Sequence, residues 1–276
     1  MALMSVVQIT SAVLWPNPAD WRMLSLAGQR AGTDALYDPA ILFRYSPLYA
    51  WLLVPLMTIG PLWWAALHVP AALAFGNWRV SAIVLISWPF WFDALSGNVL
   101  IFVVLIAWWA LRGNRIAGVV YIALCLLMPR PLMAPLAVWL LWKRSEMRLP
   151  ALAVTAVWTV GTLATGLTDE WLRALPTAGA MFDHFWNVGP SRWLGVAWVS
   201  VGFTLAAWLT WKGRLGLASL AATPYVLPYY LLFGILELVV AWSLPLSRPA
   251  RHAVPRTAGQ APTLPASGRT RSHPSL

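Results

Sequence analysis

Apolar residues along this chain run on rather than alternate, and the polar ones gather between the runs. Continuous apolar stretches occupy 47–59, 61–75, 80–92, 99–111, 116–128, 132–142, 149–166, 193–211, 215–223 and 229–246. None shows the period of two expected of a half-buried strand, so helices are predicted throughout. Residues 47–59 read as a short interfacial or re-entrant helix, because Gly60-Pro61 divides them from the span predicted over 61–75. Several runs fall short of a bilayer crossing, so either the helices extend a few residues beyond them or short helices surround a water-filled cavity where irregular backbone is tolerated. Residues 1–15 read as a truncated or tilted first helix ended by Pro16 and Pro18; without a basic leader they do not read as a cleaved signal peptide. Residues 1–246 therefore predict an all-α polytopic transmembrane helical bundle with about nine to ten membrane segments. Residues 247–276, rich in Pro, Ser, Thr, Arg and Gly with no apolar period, predict a disordered basic tail.

Composition sharpens that picture. Of 276 residues, 60% are hydrophobic and 10% charged, against roughly 25% charged in a soluble domain. A net charge of +10 would suit nucleic acid, but its distribution does not. Arg248, Arg251, Arg256, Arg269 and Arg271 lie in the tail and most other cations in short connections between runs, with no basic face interleaved with aromatics. Cys125, the single cysteine, allows neither an internal disulfide nor a cysteine metal cluster.

Charge also orients the chain. Of the 19 Lys and Arg, thirteen fall on one side when connections are assigned alternately: Arg79, Arg112, Arg115, Lys143, Arg144, Arg148, Lys212, Arg214 and the five tail arginines. Arg22, Arg30, Arg44, Arg130, Arg173 and Arg192 fall on the other. The bias predicts a cytoplasmic tail and an extracytoplasmic loop at 16–46. Asp20, Asp34, Asp38, Asp93, Asp169, Glu170 and Asp183 sort to the outer side, although acids played no part in the assignment.

The outer side is thus where chemistry is predicted. The stretch Asp20–Pro47 carries Asp20, Asp34 and Asp38 with Arg22, Arg30, Arg44, Tyr37 and Tyr45. Asp20 reads either as the N-cap of a helix over WRMLSLAGQ or as a general base whose pKa partial burial raises. Asp38, before Pro39, reads as a turn residue and Asp34 as solvated. Arg130, between Pro129 and Pro131 at a break between runs, reads as a phosphate ligand or as a snorkelling cation. His184 sits beside Asp183 without a second His at ligand spacing, so it reads as an interfacial histidine or a hydrogen-bond partner for sugar or phosphate, and no metal is expected. His68 reads as a core hydrogen-bonder, and Glu237 as a group paired inside the bundle. Ser96-Gly97-Asn98 and Thr223-Pro224-Tyr225, the latter followed by Pro228-Tyr229-Tyr230, are breaks with polar content on the same side. No P-loop, GxGxxG, GxSxG or CxxC pattern is present, so nucleotide hydrolysis and serine or thiol chemistry lack support.

Taken together, these residues resemble glycosyltransferase family 87. The resemblance rests on Asp20-Trp21, Gly32, Ala35-Leu36-Tyr37-Asp38-Pro39 and Phe43-Arg44-Tyr45-Ser46-Pro47 before an apolar helix. It continues through Gly97-Asn98, Met128-Pro129-Arg130-Pro131 and Ala222-Thr223-Pro224-Tyr225 with Tyr229-Tyr230. It spans most of residues 20–245. Members are membrane enzymes of the GT-C class that use polyprenyl-phosphate-linked hexose donors, typically mannose.

The resemblance implies that Asp20 acts as general base on an acceptor hydroxyl, which inverts the anomeric carbon as polyprenyl phosphate leaves. Arg130, with Arg44 or His184, would hold the phosphate, and Tyr45 and Asn98 would complete the substrate-binding set. No cofactor is implied. The partners implied are a polyprenyl-phosphate-sugar donor, a glycan or glycolipid acceptor and the lipid bilayer of the cytoplasmic membrane, with no nucleic acid. A transporter or flippase for a lipid-linked or small solute is the rival expectation. It would place functional ionisable residues within runs and an internal repeat, whereas the runs hold only His68 and Glu237 and no repeat is found. A non-catalytic relative of the same fold is a third.

Overall fold

The computed structural model describes residues 19–175, 182 and 186–243. The run 1–15, His184 and the segment 247–276 lie outside the described residues. Within them every regular element is a helix, as the continuous apolar runs require. The helices are α1 (Ala19–Gln29), α2 (Pro47–Leu53), α3 (Pro61–Leu73), α4 (Trp78–Ile86), α5 (Trp88–Ser96), α6 (Leu100–Leu111) and α7 (Arg115–Leu127). They continue with α8 (Ala134–Lys143), α9 (Arg148–Ala164), α10 (Thr168–Ala174), α11 (Ser191–Leu194), α12 (Val196–Trp211), α13 (Leu215–Ala221) and α14 (Leu232–Ser243).

Side-chain caps set several starts. Asn77, Ser87 and Asn114 accept the backbone N–H of Arg79, Phe90 and Ala117, satisfying donors that a first helical turn leaves free. Ser87 and Pro89 also divide the single run expected over 80–92 into α4 and α5, because Ser87 caps the second helix and Pro89 sits in its first turn. Gly195 separates α11 from α12 differently, by its backbone at φ 52°. Such breaks shorten the helices. Ser145–Ala164, 20 residues at hydropathy 1.3, has the length and composition to cross a membrane. Leu100–Leu111, Arg115–Leu127, Pro131–Lys143 and Val196–Trp211 are apolar but shorter, where nine to ten spans were expected.

Helix α6 is the centre of the packing. It is apolar on every side and buries Leu100, Ile101, Val103, Val104, Ala107, Trp108 and Ala110, as a helix without a polar face must. Around it stand α3, α7 and α14. By contrast α9 turns apolar side chains outward, with Leu149 at 76% and Val157 at 72% exposure.

The polar connections meet in two groups. Arg144 donates to the carbonyl of Leu111 at 3.0 Å, joining the basic connections after α8 and α6. Glu237 on α14 receives Arg214 Nε at 2.8 Å and the N–H of Gly216 at 2.7 Å, and so caps α13. Asp34, Asp38 and Glu170 line a cleft with Arg44 and Arg173, and the candidate site forms apart from it, where Asp20 meets Asn98.

Candidate functional site

Asp20 occupies the first turn of α1, one residue inside the helix rather than before it. Its carboxylate therefore does not cap the helix and is free to face the bundle. It accepts a hydrogen bond from Asn98 Nδ2 at 3.0 Å. The orientation of that amide is set by its other end, because Val99 N–H can only donate and bonds Asn98 Oδ1 at 2.8 Å. Asn98 thus presents N–H to Asp20.

Gly97 makes the approach possible. It ends α5 in the left-handed region at φ 78°, where a side chain would be strained. A Cβ there would also lie 2.5 Å from Trp21 Cβ and 2.9 Å from Trp21 N. Only glycine lets α1 lie against this break, and Asp20 reaches Asn98 because it does.

Arg130 comes from the break between α7 and α8. Helix α7 stops at Leu127, Arg130 is extended and Pro131 opens a short 3-10 turn. Its guanidinium donates to the hydroxyl of Tyr45 and lies over the rings of Tyr45 at 5.1 Å and Tyr230 at 5.8 Å. Tyr45 is brought there by its neighbour. Ser46 N–H donates to Leu127 O at 2.9 Å, Trp158 Nε1 donates to Ser46 Oγ at 3.2 Å, and Tyr37 Oη donates to Tyr45 O at 2.9 Å. Arg130 Nη1 is buried and, among the described residues, has no hydrogen-bond partner. A buried N–H of a cation left open costs free energy, so this atom points to an absent acceptor.

Burial raises the Asp20 carboxyl above its ordinary value of 3.8, opposed by the Asn98 bond, the Arg130 charge and the Ser96 hydroxyl. A carboxylate poised above the usual range next to an arginine with an open N–H can take a proton while the cation holds an anion. Four of the sequence-predicted residues, Asp20, Asn98, Arg130 and Tyr45, are thus brought together. Arg44 is placed elsewhere. It lines an open cleft of about 450 Å³ with Asp34, Asp38, Glu170 and Arg173, and its carbonyl accepts Trp171 Nε1 at 3.3 Å. His184 lies outside the described residues. Asp38 Oδ1 accepts Ala40 N–H at 2.9 Å, forming the expected turn.

Tyr230 was not among the predicted site residues. It and Tyr229 form a buried pair at 5.0 Å in the 3-10 turn Pro228–Leu231, which packs on α5. The signal was there in Pro228-Tyr229-Tyr230, but that pattern alone also describes a kink. Among the described residues no three His, Cys, Asp or Glu side chains converge as metal ligands. Compared with known proteins, the chain matches no family model, no curated protein and no solved structure.

Proposed function

We propose that the chain is a polytopic membrane hexosyltransferase that transfers a sugar from a polyprenyl-phosphate donor to an extracytoplasmic glycan or lipid acceptor. The observation that carries the reading is the open, buried Nη1 of Arg130 beside a carboxylate held by Asn98. A phosphate oxygen completes that arginine, and Asp20 supplies the base. In the reaction, Asp20 takes the proton of an acceptor hydroxyl, whose oxygen forms a bond to the anomeric carbon. The bond from that carbon to the phosphate oxygen breaks on the opposite face, its electron pair leaves with the phosphate, and Arg130 stabilises the charge. The sugar inverts.

The membrane setting draws on the outward apolar surface. Leu149, Leu152, Val157, Val160 and Leu163 of α9 are all exposed, and a continuous apolar face of this kind suits lipid better than water. With the basic connections in the cytoplasm, the site faces outward. The transporter alternative is weaker for a specific reason. His68 and Glu237, the ionisable residues within apolar runs, are engaged by carbonyls and by an α13 terminus with Arg214.

The test is transfer of radiolabelled sugar from polyprenyl-phosphate mannose in membranes expressing wild type or Asp20→Asn. Transfer by wild type that is lost in the variant is expected. Full transfer by Asp20→Asn removes Asp20 as base, and no transfer by wild type from any polyprenyl-phosphate hexose overturns the reading.

A further inference from the structure

The break between α5 and α6 is buried, and a break in buried backbone exposes carbonyls and N–H groups that must find partners. Here side chains supply them. Trp64 Nε1 donates to Gly97 O at 3.0 Å and to Asn98 O at 3.1 Å. His68, one turn along α3, brings Nε2 to 3.1 Å from Asn98 O, while its Nδ1 is 2.9 Å from Trp64 O. Asp93, wholly buried, accepts the N–H of Leu100 at 3.2 Å and of Ile101 at 2.8 Å, and lies 3.6 Å from His68 Nε2. Apart from the contacts of His68 with Trp64 O and with Asp93, these bonds end on the backbone of 97–101, His68 donating to Asn98 O in its Nε2–H tautomer. The residue they enclose is Asn98, whose amide holds Asp20.

We propose that Trp64 and His68 are positioning residues that clamp the Asn98 backbone from α3 and so set the carboxylate of Asp20. The proposal rests on the reading of Asp20 as the base. Neither residue touches substrate in it. Their action passes through the Asn98 carbonyl to its side chain, and an error there of about 1 Å is enough to lose roughly 100-fold in rate. Packing alone does not account for the arrangement. An apolar side chain would fill the volume of His68, but it would leave Asn98 O with fewer donors.

Three variants separate the clamp from bulk stability. Trp64→Phe keeps an aromatic ring and removes the N–H, His68→Leu removes the ring nitrogens, and His68→Gln restores an amide N–H at the reach of Nε2. Transfer is expected to fall in kcat by roughly 10- to 100-fold in Trp64→Phe and His68→Leu, with donor KM unchanged and with most activity recovered in His68→Gln. Labelling with a hydrophobic carbodiimide, read by mass spectrometry of the protein in detergent, gives a second measure that does not need turnover. Modification of Asp20 should quicken in the two deficient variants and return towards wild type in His68→Gln, while modification of Glu237, also partly buried, stays constant as the internal reference. Unchanged kcat and labelling in Trp64→Phe and His68→Leu would overturn the clamp. So would equal losses in His68→Leu and His68→Gln, or a matching rise at Glu237. If wild type transfers no sugar but the labelling follows the expected order, the enzymatic reading fails and the clamp on Asp20 stands.

Discussion

Asn98 reaches across 78 residues of chain to donate its amide N–H to Asp20 at 3.0 Å. That bond stabilises the ionised carboxylate against a burial that disfavours it, and the balance still leaves the group above its ordinary value of 3.8. Two chain breaks, at Gly97-Asn98 and at Pro129-Arg130-Pro131, meet α1 to build one polar site inside an apolar bundle.

The pH profile of transfer should show this balance. Burial makes the protonated form of Asp20 persist to higher pH than in an exposed carboxyl. As pH falls, kcat/KM should therefore decline with a midpoint above the ordinary carboxylate range, and Asn98→Ala, which removes a bond to the charged form, should move that midpoint further up. A midpoint at or below 3.8 would contradict a buried Asp20 as base.

Gly97→Ala should damage the site more than its size suggests. The left-handed backbone alone costs a side chain about 1–2 kcal/mol, and the new methyl meets Trp21 backbone and Cβ, so α1 must move. A lower thermal midpoint in detergent together with loss of transfer is expected; a variant equal to wild type in both would show that α1 has room to adjust.

Arg130→Ala should weaken donor use by roughly 100-fold or more, the scale of losing a group that stabilises developing charge. Arg22→Ala, on the exposed side of α1, should leave it almost unchanged. Tyr45→Phe should fall between them, because the ring under the guanidinium remains and only the hydroxyl goes. Donor titrations of the three variants decide this, and equal effects of Arg130→Ala and Arg22→Ala would mean that surface charge alone is at work.

Glu237→Leu should lower stability by about 2 kcal/mol, because Arg214 loses its ion pair and the N–H groups of Gly216 and Leu217 lose their acceptor. Activity per folded molecule should hold, since Glu237 caps α13 and does not meet Asp20. Thermal unfolding and transfer measured on the same preparation separate the two effects.

The helical class was legible along the chain, because the apolar runs are continuous and none alternates. Asp20, Asn98 and Arg130 were legible as candidates for a local reason: each is a polar residue next to a glycine, a proline or a helix end. What local pattern does not carry is partnership. Arg44 and Tyr45 are neighbours of similar promise in the sequence, yet Tyr45 lies against Arg130 while Arg44 lines the cleft beside Glu170. Arg44 and Tyr45 lie in a connection without regular structure, where the Ser46 N–H bond to Leu127 O ties the chain next to Tyr45 to the end of α7. The break at Ser87-Pro89 was likewise hidden within a continuous apolar run, since capping depends on a serine whose other uses look the same.

The sequence by itself determined that the chain is helical and marked the breaks at Gly60-Pro61, Gly97-Asn98 and Pro129-Arg130-Pro131, because periodicity, glycine and proline act within a few residues. Only the tertiary structure decided that Asn98 holds Asp20, that Tyr45 and Tyr230 enclose Arg130, and that Trp64 and His68 grip the break between α5 and α6. Those contacts join residues 30 to 100 positions apart. They follow from close packing around α6 and from the need of buried polar groups for partners, conditions that exist only once the helices have come together.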